Sequence, residues 1–440
     1  MMGYKSPVTV VVGAQYGDEG KGRIVDLLAA EAGLVARFQG GNNAGHTIVN
    51  EYGEFRLHLV PAGIFRKDVT CLIGAGVVVD PKSLLEELAD IESKGVEVSG
   101  LRLSERAHVV TPYHRLLDGL DEKARGSRRI GTTLRGVGPA YTDKVARRGI
   151  QVADLFYPEF LREKLEVALG HVNALLRGQF GEEPLELDPV FDELSGSAEA
   201  LRPYVCDGLA VVREALQSGR GILAEGQLGA QRDLDWGVYP FVTSSSPISG
   251  AITSGAGIPP TAITEILGVT KAYTTAVGEG PMPTELHDAD GVALRERGGE
   301  YGATTGRPRR CGWFDAVAVR YAAGLNGMTG LALTKLDVLD EFAELPICVG
   351  YRVEDGAGMV AGGGPTEGAL LDTVPPTPVL TKVTPVYEKM PGWRRPTRGA
   401  RKLADLPAEA RRYVERIEEL VGVPAKLISV GREREEFIRP

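Results

Sequence analysis

Asp18 lies in Gly13-Ala14-Gln15-Tyr16-Gly17-Asp18-Glu19-Gly20-Lys21-Gly22-Arg23, between a β-branched run and an apolar-periodic segment. Closely spaced glycines let backbone N–H groups converge on a phosphate; a helix N-terminus adds partial positive charge and Lys21 adds a full one. The segment is a P-loop-like phosphate cradle, but G-x-x-x-x-G-K-[ST] would need glycine in place of Gln15 and a hydroxyl residue in place of Gly22, and G-x-G-x-x-G fails too. An ordinary glycine-rich turn is the competing reading, and the embedded lysine argues against it. A carboxylate beside phosphates repels them unless it holds Mg²⁺ or takes a proton, so Asp18 points to catalysis.

His46 closes Gln39-Gly40-Gly41-Asn42-Asn43-Ala44-Gly45-His46-Thr47, a loop of small and amide residues that makes a poor site for a core histidine. Gly131-Thr132-Thr133, followed by Lys144, Arg147 and Arg148, suits a nucleotide 5′-phosphate or is a solvated charge run. Thr304-Thr305-Gly306-Arg307-Pro308-Arg309-Arg310 offers guanidinium forks to a carboxylate-bearing substrate, with a structural salt-bridge cluster as the alternative. In Thr334-Lys335-Leu336-Asp337 the acid can accept from guanine N1–H and the 2-amino group while the lysine stem stacks on the base.

These loops need elements to hold them. Val8 to Val12 reads as a strand buried on both faces, and Ile24, Leu27 and Leu28 recur at helical spacing before Gly33, giving strand, glycine loop and helix. A parallel α/β sheet follows from that unit. Pro81 opens a helix with Leu84, Leu85, Leu88 and Ile91 on one face and Gly95 as its stop. The stretch from 156 to 216 reads as a helical insertion, broken near Glu182-Glu183-Pro184, and Leu161, Leu165, Ala168, Val172 and Leu175 form its apolar stripe. Leu331 to Thr334 and Ile347 to Tyr351 read as further buried strands; Tyr413, Ile417 and Leu420 mark a helix ending near Gly422. Gly356 to Pro378 reads as a long loop or ribbon, and no motif is visible between Tyr351 and Lys382.

Composition bounds the partners. The 440 residues carry a net charge of −9, the wrong overall sign for a dedicated nucleic-acid binder, so an anionic ligand must be held by local features. No stretch approaches the roughly 18 apolar residues a membrane helix needs. The 4 cysteines, Cys71, Cys206, Cys311 and Cys348, are scattered and read as reduced cytoplasmic thiols.

Taken in order, GAQYGDEGKGRIVD, GGNNAGHT, GTTLRGVGPAYTDKVARRGI, DWGVYPFVTSSS, ATTGRPRRCGWFD, TKLDVLD, MPGW and SVGRERE resemble the adenylosuccinate synthetase family over nearly the whole chain. The resemblance implies an α/β fold, a large mostly parallel central sheet flanked by helices with helical and small β insertions, forming one domain of residues 1–440. It implies a cytoplasmic homodimer that uses IMP, L-aspartate, GTP and Mg²⁺ and gives adenylosuccinate, GDP and phosphate through a 6-phosphoryl-IMP intermediate. Asp18 and His46 would be catalytic, and Asp18 with the Gly45 carbonyl would hold the metal. GTP would contact Gly17, Glu19, Gly20, Lys21, Gly22, Arg23, Gly45, Thr47, Arg309, Lys335, Leu336, Asp337, Ser429, Val430 and Gly431. IMP would contact Asp18, Lys21, Asn43, His46, Thr133, Leu228, Thr243 and Arg307, with Arg147 reaching across from the other subunit. Aspartate would meet Ala303, Thr304, Thr305, Gly306, Arg307 and Arg309.

The chain departs from the family pattern at Glu225-Gly226-Gln227-Leu228-Gly229, where EGAQG is usual, so a leucine stands at an IMP-contacting glutamine's place. That leaves open the same chemistry on another 6-oxopurine nucleotide. A non-catalytic GTP-binding switch is the other rival, and it has no need to combine Asp18 with His46.

Overall fold

The computed structural model describes residues 4–43, 45–302, 306–354 and 366–440. Ten strands form the central sheet: β1 (Val8–Gly13), β2 (Ala32–Arg37), β3 (Thr70–Ile73), β4 (Leu101–Ser104), β5 (Val205–Cys206), β6 (Gly221–Glu225), β7 (Ile263–Lys271), β8 (Gly330–Thr334), β9 (Ala425–Ser429) and β10 (Phe437–Ile438). They lie in the order β10-β9-β8-β7-β1-β6-β2-β3-β4-β5. Every pairing is parallel except β9 with the edge strand β10. Strand β1 shows why its sequence is apolar throughout: Val8, Val10 and Val12 join the core on one face of the sheet and Val11 the core on the other.

Helix α1 (Lys21–Leu28) starts after Gly20, whose φ of 94° is left-handed. It ends earlier than the sequence suggests. A short 3-10 turn follows, and Gly33 lies inside β2, where a Cβ would come within 2.9 Å of Arg220. Close approach of a neighbouring side chain, and not a helix stop, is what this glycine serves. Helix α2 (Pro81–Ser93) matches its pattern, capped by Asp80 and followed by left-handed Gly95. Helices α3 (Pro112–Arg125) and α4 (Val137–Val145) flank the threonine loop. The insertion holds α5 (Pro158–Leu175), α6 (Leu187–Leu201) and α7 (Gly208–Ser218), and Leu176 takes the buried place expected for Leu175.

The strand expected at Ile347 to Tyr351 belongs elsewhere. It is the middle of Glu344–Val353, which pairs antiparallel with Val383–Pro391 in a separate small sheet. The expected ribbon at 356–378 is described from residue 366 and contributes the short strand Leu370–Leu371 to that sheet; residues 355–365 lie outside the described part.

Candidate functional site

In an open parallel sheet, ligands sit beyond the carboxyl ends of the strands, at the point where the strand order reverses. Here β1 is flanked by β6 and β7, which come far later in the chain. The phosphate loop leaves β1, the loop to His46 leaves β2, Gln227 and Leu228 leave β6, Lys335 leaves β8, and Gly431 follows β9. All of these exits converge on a cavity of about 860 Å³.

The cradle is organised by its own acid. Glu19 is fully buried; its carboxylate accepts from the Gln15 N–H at 3.1 Å and the Gly17 N–H at 2.8 Å, and pairs with Lys21 Nζ at 2.5 Å. Thr334 Oγ1 donates to the Glu19 carbonyl at 2.7 Å, tying the loop to β8. Gly22 is needed for a close approach, since a Cβ there would lie 2.7 Å from the His46 Cβ. Asp18 holds a left-handed backbone (φ 59°), and its carboxylate, about one third exposed, faces the cavity.

His46 has a partner that local sequence does not reveal. Its Nδ1 lies 2.7 Å from Oε1 of Glu225, the last residue of β6, and Oε2 of that carboxylate accepts from the Ala62 N–H at 2.8 Å. Burial pushes the Glu225 carboxyl up, but the His46 ring, Arg37 and the Ala62 amide outweigh it and hold the group below the usual carboxylate range. Glu225 is therefore ionised and fixes the imidazole.

A second buried acid ties the arginine segment to the cradle. Glu300 meets Lys271 Nζ at 2.8 Å and Arg309 Nη1 at 2.7 Å, and Arg309 Nε lies 2.9 Å from Asp18 Oδ2. Burial opposes the Glu300 charge, but Lys271, Lys335 and Arg309 draw its pKa down to about 2. A carboxyl depressed in the folded state contributes stability above its unfolded value, near 4.5, that is lost as pH falls towards 2. Unfolding midpoints measured across that window should fall with acid in the native chain. The Glu300→Gln variant should lose that part of the slope and be less stable at pH 7 by about 3 kcal/mol or more, because the fully buried Lys271 loses its carboxylate partner.

At the far end of the cavity, Lys335 adopts φ 64° and donates to the Gly298 carbonyl at 2.6 Å. Burial lowers its pKa to about 8, so it remains cationic at neutral pH. Asp337 Oδ1 is buried with no protein partner among the described residues, the condition expected of an acceptor kept for a ligand. Arg23 donates to Ser429 Oγ at 2.8 Å and to the Gly431 carbonyl, and stacks on Phe437 at 4.2 Å. It braces this wall.

Most of the expected contacts line the cavity: Gly17, Asp18, Glu19, Gly20, Lys21, Gly22, Arg23, Asn43, Gly45, His46, Thr47, Thr133, Leu228, Thr243, Gly306, Arg307, Arg309, Lys335, Ser429 and Gly431. The other expected contacts among the described residues do not line it with their side chains. The side chains of Leu336 and Val430 are fully buried in the core, so only their backbones could meet a nucleotide. Arg147 is exposed just beyond α4 and does not line the cavity of its own chain. Asp337 stands behind the lining. Ala303, Thr304 and Thr305 lie outside the described residues. The threonine loop is held by α3, whose Asp118 accepts from Thr132 Oγ1 at 2.8 Å and the Gly136 N–H at 2.9 Å. Gln227 does not face the ligand space. Its Oε1 accepts from Arg37 and the Gly41 N–H, and its Nε2 donates to Asn43 Oδ1 at 2.6 Å, so it acts through Asn43.

Sequence reasoning missed Glu225, Glu300 and Lys271. The available signal was position, since Glu225 and Lys271 end buried strands of the sheet.

Among the described residues no helix is long and apolar enough to cross a membrane. The family model described as adenylosuccinate synthetase matches residues 10–438. Adenylosuccinate synthetase of Heliobacterium modesticaldum is 52% identical over 430 residues, covering 98% of each chain. That of Thermomicrobium roseum is 50% identical over 436 residues, again covering 98% of each. The fully ligated adenylosuccinate synthetase of Plasmodium falciparum superposes with a TM-score of 0.90 at 34% identity, covering 99% of this chain and all of that one. A cyanophage S-2L succinoaminodeoxyadenylate synthetase, at 20% identity and a TM-score of 0.59 over 99% of this chain and 95% of its own, shares the fold. On sequence and architecture together, the chain belongs to the adenylosuccinate synthetase family.

Proposed function

We propose that this cavity ligates L-aspartate to IMP at the expense of GTP, giving adenylosuccinate, GDP and phosphate, with the residues named above in the roles that follow. One observation carries the reading: Asp18 and His46, whose ring is fixed by Glu225, line the same cavity as the phosphate cradle and Lys335. A hypoxanthine 6-oxygen is a poor leaving group, so it must be phosphorylated before an amine can displace it. Asp18 takes the N1 proton, charge develops on the 6-oxygen, and His46 donates to that oxygen. Lys21 leaves Glu19 to meet the phosphoryl group in flight, and the threonine loop with Arg307 and Thr243 holds the nucleotide. Asp337 accepts from the guanine edge.

The residues fit Mg²⁺. Asp18, a hard oxygen donor, and Gly45 both line the cavity, and among the described residues no cluster of three acids, cysteines or histidines forms an all-protein cage. Mg²⁺ is usually held in this way, by one or two carboxylates together with substrate phosphates. When bound, it supplies neutralisation of triphosphate charge.

A coupled assay of GDP release, omitting IMP or aspartate in turn, tests the reading. Release should require both, and release indifferent to either would favour a GTP switch. Leu228 in the cavity wall keeps a second acceptor in play, so dGMP belongs in the same assay; turnover of dGMP with negligible turnover of IMP would replace the substrate.

Asp337→Asn should cut the preference for GTP over ITP or ATP at least tenfold in kcat/KM, because one of the two acceptors becomes a donor. An unchanged preference would remove Asp337 from the base site. We read the chain as one domain with an insertion near 156–216, acting in the cytoplasm, where its 4 free cysteines stay reduced. We also read it as a homodimer. Arg147 is exposed close to Val145, which is 80% exposed, and neither lines the chain's own cavity. If Arg147 completes the site of the other subunit, mixing inactive Asp18→Asn and Arg147→Ala chains should restore roughly a quarter of native activity through mixed dimers. No recovery after verified exchange would mean each chain is self-sufficient.

A further inference from the structure

Arg232 is a buried cation with no acid paired to it among the described residues. It closes the 3-10 turn Ala230–Arg232, four residues after Leu228, lines the same cavity and is 8% exposed. Its guanidinium forms no ion pair with a described carboxylate. It donates instead to three backbone carbonyls, those of Phe241, Glu279 (3.3 Å) and Val277 (2.6 Å). Its own carbonyl accepts from the Thr243 N–H at 2.9 Å, and the guanidinium lies 5.4 Å from the centre of the Tyr16 ring in the phosphate loop. Burial lowers its pKa to about 10, so it stays charged at neutral pH.

Those carbonyls belong to the segments that shape the nucleotide space. In the loop from Val277 to Gly280, the carbonyls of 277 and 279 are taken by Arg232, and those of 278 and 280 by Arg310, which is itself anchored on Glu285. Gly278 and Gly280 have φ of 82° and 103°, so the loop is wound into a form that presents successive carbonyls to guanidinium groups. Outward, Glu279 faces Arg307 at 3.7 Å, and Gly278 packs against Gly131 of the threonine loop. One side chain thus joins the Thr243 wall to the loop supporting Arg307 and Thr133. The same cavity is lined by Leu228, whose side chain has no hydrogen-bonding group.

We propose that Arg232 is a positioning residue for the purine nucleotide, fixing the walls around the acceptor base and ribose phosphate where Leu228 offers no polar contact. The inference rests on reading the cavity as the IMP site. Its expected signature is selective: Arg232→Met should raise KM for IMP about tenfold or more, with KM for GTP changed less than about threefold and kcat less affected than KM. Arg232→Lys keeps the charge but can reach only part of the carbonyl set, and should fall between the two.

The test is steady-state kinetics on the full-length native, Lys and Met chains, with equilibrium binding of IMP and of dGMP and a thermal midpoint for each chain. Weakened IMP binding at an unchanged midpoint supports the proposal. IMP binding and KM within twofold of native in a folded Met variant overturn it, as does a rise of both KM values together. If the Met variant does not fold, the Lys variant decides by the same criterion. Native chain that neither binds nor turns over IMP would defeat the functional reading instead, and the dGMP arm would then report whether Arg232 positions another acceptor.

Discussion

Asp18→Asn is expected to lower kcat by about 10³-fold or more while leaving GTP affinity within about threefold of native. The substitution is chosen for its backbone as well as its chemistry: φ at position 18 is 59°, a region asparagine tolerates and alanine does not. An amide can still contact Arg309, so the network through Glu300 survives and the loss isolates the missing base. Binding should persist because the cradle is built by Glu19 and the backbone, neither of which needs the Asp18 charge. Single-turnover GDP formation separates chemistry from release, and a native-like rate there would remove Asp18 from the proton transfer.

The legible parts of this protein are those whose chemistry is contiguous. The phosphate loop carries glycines, acid and lysine within Gly13 to Arg23, and the strand before it declares itself by β-branching. The helix after Pro81 was readable because cap, stripe and stop lie within one segment. What escaped was pairing across the chain. His46 and Glu225 are 179 positions apart and meet only because β2 and β6 are neighbours, a fact of sheet order that neither segment encodes. Lys271 and Glu300 are 29 apart and look like unrelated charges until the fold buries both. Burial also misled in the other direction. An apolar run such as Ile347 to Tyr351 reads as a buried strand correctly but says nothing about which sheet receives it. Leu336 and Val430 sit among ligand-facing neighbours, yet both turn their side chains into the core.

Glu225→Gln tests the pairing that the sequence hid. With Nδ1–H committed to a carboxylate at 2.7 Å, a neutral His46 ring would present Nε2 as an acceptor. To donate to a developing oxyanion from Nε2, the ring must carry both protons, and the ionised Glu225 is the partner its Nδ1–H then meets. Glutamine preserves volume and can still accept from the Ala62 N–H, but it removes the charge. The expected results are a fall in kcat of about 10²-fold and little change in KM for GTP. A merely structural role for Glu225 would not depend on its charge, whereas Glu225→Asp, which restores the charge at shorter reach, should recover part of the rate that Glu225→Gln loses. A thermal midpoint within a few degrees of native would show that the buried site still folds. A native-like kcat in a folded Glu225→Gln chain would mean that His46 acts without its carboxylate, as a neutral donor in the other tautomer.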